Sequence, residues 1–125
     1  MGKVRTPSEV VQGFVNAVIR RDLGALVASF SPDAIFTESY SASPLFPRNS
    51  EGVVATGRDQ IRAIYESALT TFAGIEVEVV HRYATGKVVV DHETASGGAL
   101  TETLHSVWIY TVDDGLIQTM HAVLA

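Results

Sequence analysis

The sequence predicts an α+β fold in which three amphipathic helices come first and a curved, mainly antiparallel sheet wraps over them. Two patterns carry this. Apolar residues recur at helical spacing in three stretches, the last ending at Phe72, and from Ile75 onward the period changes to two. The third observation is size: 125 residues make one domain, residues 1–125, with a single sizeable core and no room for two.

Thr6-Pro7-Ser8-Glu9 reads as a helix start, with Thr6 as N-cap, Pro7 at the first helical position and Glu9 closing a capping box. Val11, Phe14, Val15, Val18 and Ile19 then form one stripe, and the helix ends near Arg20-Arg21. Asp22 can cap a second, short helix with Leu23, Leu26, Val27 and Phe30 facing inward, which Ser31-Pro32-Asp33 stops. The third helix opens at Thr56 or Gly57; Ile61, Ile64, Tyr65, Ala68, Leu69 and Phe72 follow its spacing, and Gly74 ends it. Ile75-Glu76-Val77-Glu78-Val79 alternates cleanly, and 87–96, 101–112 and 116–124 have the β-branched and aromatic content of strands.

Composition narrows the function. Hydrophobic residues make up 46% of the chain, with a mean hydropathy of +0.20, so an apolar pocket, a buried subunit interface or both are expected. The apolar runs are too short for a membrane helix, and the N-terminus lacks the apolar stretch of a signal peptide, so a cytoplasmic setting is expected. A formal charge of −5 without a basic run argues against nucleic acid or an anionic membrane as partner. With no cysteine, thiol nucleophiles and thiolate metal sites are excluded.

The strand Asp33–Tyr40 holds the leading candidate. Ala34, Phe36, Glu38 and Tyr40 share one side, Ile35, Thr37 and Ser39 the other, so Glu38 stands alone as a carboxylate on an apolar face. If that face lines a cavity, desolvation raises the Glu38 pKa toward that of a base working near neutral pH; otherwise Glu38 is a solvated acid at a strand end. Residues 41–56, with two prolines flanking Leu45 and Phe46, read as a loop, either a lid over a pocket or a passive crossover.

Gly97-Gly98 reads as a tight turn, which sets His92 directly opposite His105. Val88, Val90 and His92 then share the cavity face with Thr103, His105, Val107 and Ile109, while Asp91, Glu93, Trp108 and Tyr110 point outward. Two histidines near Glu38 could form an acid–base pair across a substrate, or with it hold a divalent metal; a lone histidine there could equally be a hydrogen-bonded core residue. His81 lacks a comparable pairing, and His121, opposite in facing to Met120, reads as structural or interfacial.

Asp22–Phe30 with Asp33–Glu38, Gly57–Ile61 with Tyr65, and Gly115–Ala122 together resemble the nuclear-transport-factor-2-like superfamily, in its ketosteroid isomerase and SnoaL-like branch. The resemblance implies a cone-shaped α+β barrel around an apolar pocket, binding an apolar small molecule without a cofactor or metal. It also implies a homodimer through the outer sheet face, where Trp108 and Tyr110 would lie. Glu38 matches the isomerase's catalytic aspartate, one methylene longer. Phe14 stands where the isomerase has a hydrogen-bonding tyrosine, and Val107, counted from Met120, where it has a protonated aspartic acid. Losing a donor of this kind costs on the order of a hundredfold in rate.

The expected catalytic set is therefore Glu38 with Tyr65, His92 or His105 as replacement donors. Phe14, Phe30, Phe36, Val90, Thr103, Val107 and Met120 are the expected substrate-binding residues. An isomerase or cyclase that abstracts a proton from a carbonyl compound is the leading reading, and a non-catalytic binding or dimerisation module of the same fold the alternative. The Asp-Arg-Asp arrangement of a limonene-type epoxide hydrolase finds no place among these residues.

Overall fold

The computed structural model describes residues 5–39, 45, 46, 49 and 51–124. In chain order these form α1 (Pro7–Arg20), α2 (Leu23–Ala28), β1 (Phe30–Ser39), β2 (Val53–Thr56), α3 (Gly57–Thr71), β3 (Ile75–Thr85), β4 (Val88–Gly97), β5 (Leu104–Asp113) and β6 (Leu116–Leu124). One six-stranded sheet runs in the order β2-β1-β6-β5-β4-β3, and it is open rather than closed into a barrel. The β1–β6 pair is parallel and every other pair antiparallel. None of the described helices is long and apolar enough to cross a membrane.

The helices form where capping and periodicity place them. Thr6 Oγ1 accepts from Glu9 N–H, and Glu9 Oε1 accepts from Thr6 N–H at 2.8 Å, closing the capping box. The buried stripe of α1 is Val10, Val11, Phe14, Val15 and Ala17, while Ile19 lies outside it, half exposed. Asp22 caps α2 through Ala25 N–H. Ile61, Tyr65 and Ala68 are the buried face of α3. All three helices cover one side of the sheet, α1 across β3–β6 and α3 against β1 and β2.

The strands differ from expectation in three places. The second helix ends at Ala28, before Phe30, so Ser31-Pro32-Asp33 is not its stop but part of β1, which starts at Phe30 with an irregular stretch up to Ile35, a position where proline is tolerated. Residues 53–56, expected to be loop, form the edge strand β2. Between β4 and β5 the chain turns through residues 98–103, so His92 pairs with Val107 and Thr94 with His105, a shift of two residues from the expected register. By contrast Asp114-Gly115, both at positive φ, makes the tight turn between β5 and β6.

Candidate functional site

The inner face of the sheet and the helices enclose a cavity of about 70 Å³, with Phe14, Val15 and Val18 of α1 on one side and Tyr65, Ala68 and Leu69 of α3 on another. Two carboxylic acids line it, Glu38 from β1 and Glu93 from β4. Glu38 is only 3% exposed, on the same inward face as Ala34 and Phe36. Gly52 packs against the Glu38 backbone, its carbonyl accepting from Glu38 N–H at 2.8 Å. Its φ of +82° suits glycine, and a Cβ there would stand 2.8 Å from the Glu38 carbonyl oxygen.

Glu93 is 6% exposed. Tyr110 Oη donates to Glu93 Oε2 at 3.1 Å. Burial raises the Glu93 carboxyl to about 8, the neighbouring Asp91 charge adds to the rise, and the Tyr110 hydrogen bond and Arg82 charge draw it back. Glu93 is thus mainly protonated at pH 7. Burial, followed by the Glu93 charge, also pushes the Tyr65 phenol well above its ordinary value, and Tyr110 moves the same way. Both phenols keep their protons across the physiological range.

Behind Glu93 a buried ion pair anchors β3 to β4. Arg82 donates through Nε to Asp91 Oδ1 at 2.6 Å and through Nη2 to Asp91 Oδ2 at 2.8 Å. Its Nη1 reaches Gln12 Oε1 of α1 at 2.8 Å, so one guanidinium joins the helix to the sheet.

Aromatic rings fill the rest of the wall. Phe14 sits edge-on to Phe30, Tyr65 and Tyr110 at 5.0, 5.7 and 6.0 Å. Phe46, from the segment read as lid or crossover, is buried against Phe36 at 5.2 Å and Tyr65 at 5.0 Å, and lines the cavity with Leu45. Tyr40 and the remainder of 40–50, apart from Asn49, lie outside the described residues.

Of the residues singled out from the sequence, the structure brings Glu38, Tyr65 and Phe14 to the cavity. Phe30, Phe36 and Met120 are fully buried core residues beside it. The β4–β5 face assignment is reversed. His92, His105, Val90 and Val107 turn away from the helices, with Val107 37% exposed, and Thr103 is exposed in the turn before β5. Trp108 and Tyr110, expected outside, are buried inside.

Two physical reasons account for the reversal. Alternation separates two faces but does not say which is covered, and here the outward face is apolar as well. In addition, the β5–β6 register shifts between Thr111 and Val112, so an ungapped count from Met120 lands on the wrong face at Val107. The missed residues are Glu93, Tyr110, Asp91 and Arg82. The usable signal was the Trp108, Tyr110, Val112 stripe, which buries more area than His105, Val107 and Ile109.

A SnoaL-like domain model matches residues 11–120. The chain belongs to the SnoaL-like family. A candidate ketosteroid isomerase from Kribbella flavida is 15% identical with a TM-score of 0.74, covering 95% of this chain and 77% of that one. A candidate polyketide cyclase from Sinorhizobium meliloti is 19% identical with a TM-score of 0.74 over 94% and 99% of the two chains. An LEH-like epoxide hydrolase from M. tuberculosis is 17% identical with a TM-score of 0.73 over 95% and 82%. At these identities the likeness is one of fold. No curated protein matches the sequence.

Proposed function

We propose that this SnoaL-like protein is an enzyme that moves a proton on a small, largely apolar carbonyl compound. Glu38 acts as base, and the neutral Glu93 carboxyl, backed by Tyr110, is donor to the developing oxyanion. One observation carries the reading: a single apolar cavity holds the buried Glu38 carboxyl together with a second carboxyl that burial keeps protonated near neutral pH.

In this reading the Glu38 carboxylate takes a proton from the carbon next to the carbonyl, and the C–H electron pair moves to the oxygen as an enolate. Glu93 and Tyr65 donate hydrogen bonds to that oxygen, compensating for the phenylalanine at position 14. Returning the proton at another carbon isomerises the substrate; attack of the enolate carbon on a second carbonyl cyclises it. His92 and His105, facing outward, take no part.

The test is deuterium exchange at the α-carbons of cyclic enones and diketones in D2O, followed by NMR. Glu38→Gln is expected to lower exchange by about a hundredfold or more, and Glu93→Ala by about a hundredfold, since each removes a group acting in the transition state. Ketones that bind without exchange above the buffer rate would instead establish the non-catalytic binding module.

The face open for a second copy is the outward one. Tyr83, Val90 and Ile109 form one row across β3, β4 and β5, with Tyr83 and Ile109 exposed. We propose this row as the dimer contact in place of Trp108 and Tyr110. Sedimentation velocity should give a dimer that Ile109→Lys dissociates, and a monomeric wild type would exclude it.

A further inference from the structure

On the outward face three of the four histidines stand near one another across the adjacent strands β3, β4 and β5. His81 of β3 is the register partner of His92 of β4. His105 of β5, opposite Thr94, lies diagonally from His92, and His92 Nε2 is 3.2 Å from His105 Nδ1. The two rings are 5.5 Å apart at 37°. All three side chains stand on the side of the sheet away from the helices, with His81 and His105 exposed and His92 partly so.

The geometry points to a divalent transition-metal site built on His92 and His105, with His81 as third ligand. Two imidazole nitrogens on one tetrahedral ion at 2.0–2.1 Å stand about 3.3–3.4 Å apart, and at a right angle about 2.9 Å. The observed 3.2 Å lies between these spans. Binding needs one tautomer on each ring: the ring whose N–H lies between Nε2 and Nδ1 moves that proton to its other nitrogen, so that His92 carries its N–H on Nδ1 and His105 on Nε2, and both lone pairs then converge on the ion.

As they stand, no three His, Cys, Asp or Glu side chains among the described residues are placed to hold a metal. His81 is the residue that changes this. Directly opposed side chains on neighbouring strands have Cβ atoms about 4.5–5.5 Å apart, so rotation of an exposed imidazole about its own χ angles brings it toward the ion held by His92. Exposure makes that rotation cheap, and water completes the coordination. Imidazole donors without thiolate favour Zn²⁺, Ni²⁺ and Cu²⁺ over Mg²⁺ or Ca²⁺. The site is separate from the cavity, which lies on the opposite face of the same strands.

Isothermal titration calorimetry of the full chain with ZnCl2 and NiCl2 tests this, alongside NMR of the histidine ring protons. One ion per chain is expected, with Ni²⁺ broadening the His92 and His105 ring signals first. Uptake is expected to disappear in His92→Gln and His105→Gln, to weaken several-fold in His81→Gln, and to fall on acidification because the ligands must be deprotonated. Melting curves of the three variants should match that of the wild type without metal, since these side chains are outside the core. Absence of uptake, or uptake unchanged in His92→Gln and His105→Gln, would overturn the site; unchanged uptake in His81→Gln would overturn the third ligand.

Discussion

Arg82→Ala is expected to cost the folded state about 3–5 kcal/mol at neutral pH, because it strands a carboxylate that has no water to turn to. Asp91 is 0% exposed and both of its oxygens accept from the Arg82 guanidinium, while the Arg82 side chain is 19% exposed and keeps little solvent screening. The same substitution takes the partner of Gln12 from α1. Urea unfolding of the wild type and the variant at neutral pH reads this loss. A loss below about 1 kcal/mol, the range of exposed ion pairs, would show that the pair is not the buried link described. Replacing both partners together, as Arg82→Met with Asp91→Leu, should cost far less than either single change, since no buried charge is left.

The same ion pair shows where the sequence could be read and where it could not. The capping box at Thr6–Glu9, the spacing of α3 and the alternation that buries Glu38 are local patterns, fixed by neighbours within a few residues, and each appears where expected. Arg82 and Asp91 are nine residues apart on two strands, and their meeting depends on the bulge between Val79 and His81 that brings Arg82 onto the inner face. Without that bulge the alternation from Ile75, Val77 and Val79 would carry His81 inward and Arg82 out. The inward turn of Glu93 escaped for a related reason. A charged residue on a strand with apolar neighbours on both faces is placed outside by default, and only the helices, which cover the Glu93 side, decide otherwise. Short β2 was hidden because Val53-Val54-Ala55-Thr56 has too few residues to show a period and becomes a strand by pairing with β1.

Glu93→Gln is expected to change how stability depends on pH by several kcal/mol across the range in which the wild-type carboxyl titrates. The folded-state pKa of about 8 lies above the ordinary value of 4.5. Between those values the folded protein holds a proton that the unfolded chain has released, so this group's contribution is complete below about pH 4.5 and is lost as pH rises to about 8. The slope approaches about 1.4 kcal/mol per pH unit. Glutamine cannot ionise, and its side-chain carbonyl can still accept from Tyr110, so the variant should lose the slope and keep the hydrogen bond. Glu93→Leu also loses the slope but leaves the Tyr110 hydroxyl without its acceptor in a buried place, at a cost of about 1–3 kcal/mol at every pH. Unfolding free energies of wild type and Glu93→Gln, measured from pH 4.5 to 9, should diverge in the variant's favour; parallel curves would mean that Glu93 is ionised in the fold and no donor at all. The same titration bears on catalysis. If the neutral carboxyl is the oxyanion donor, α-proton exchange by the wild type falls as pH rises through about 8. Glu93→Gln, which keeps an N–H to donate, retains part of its rate and shows no such fall.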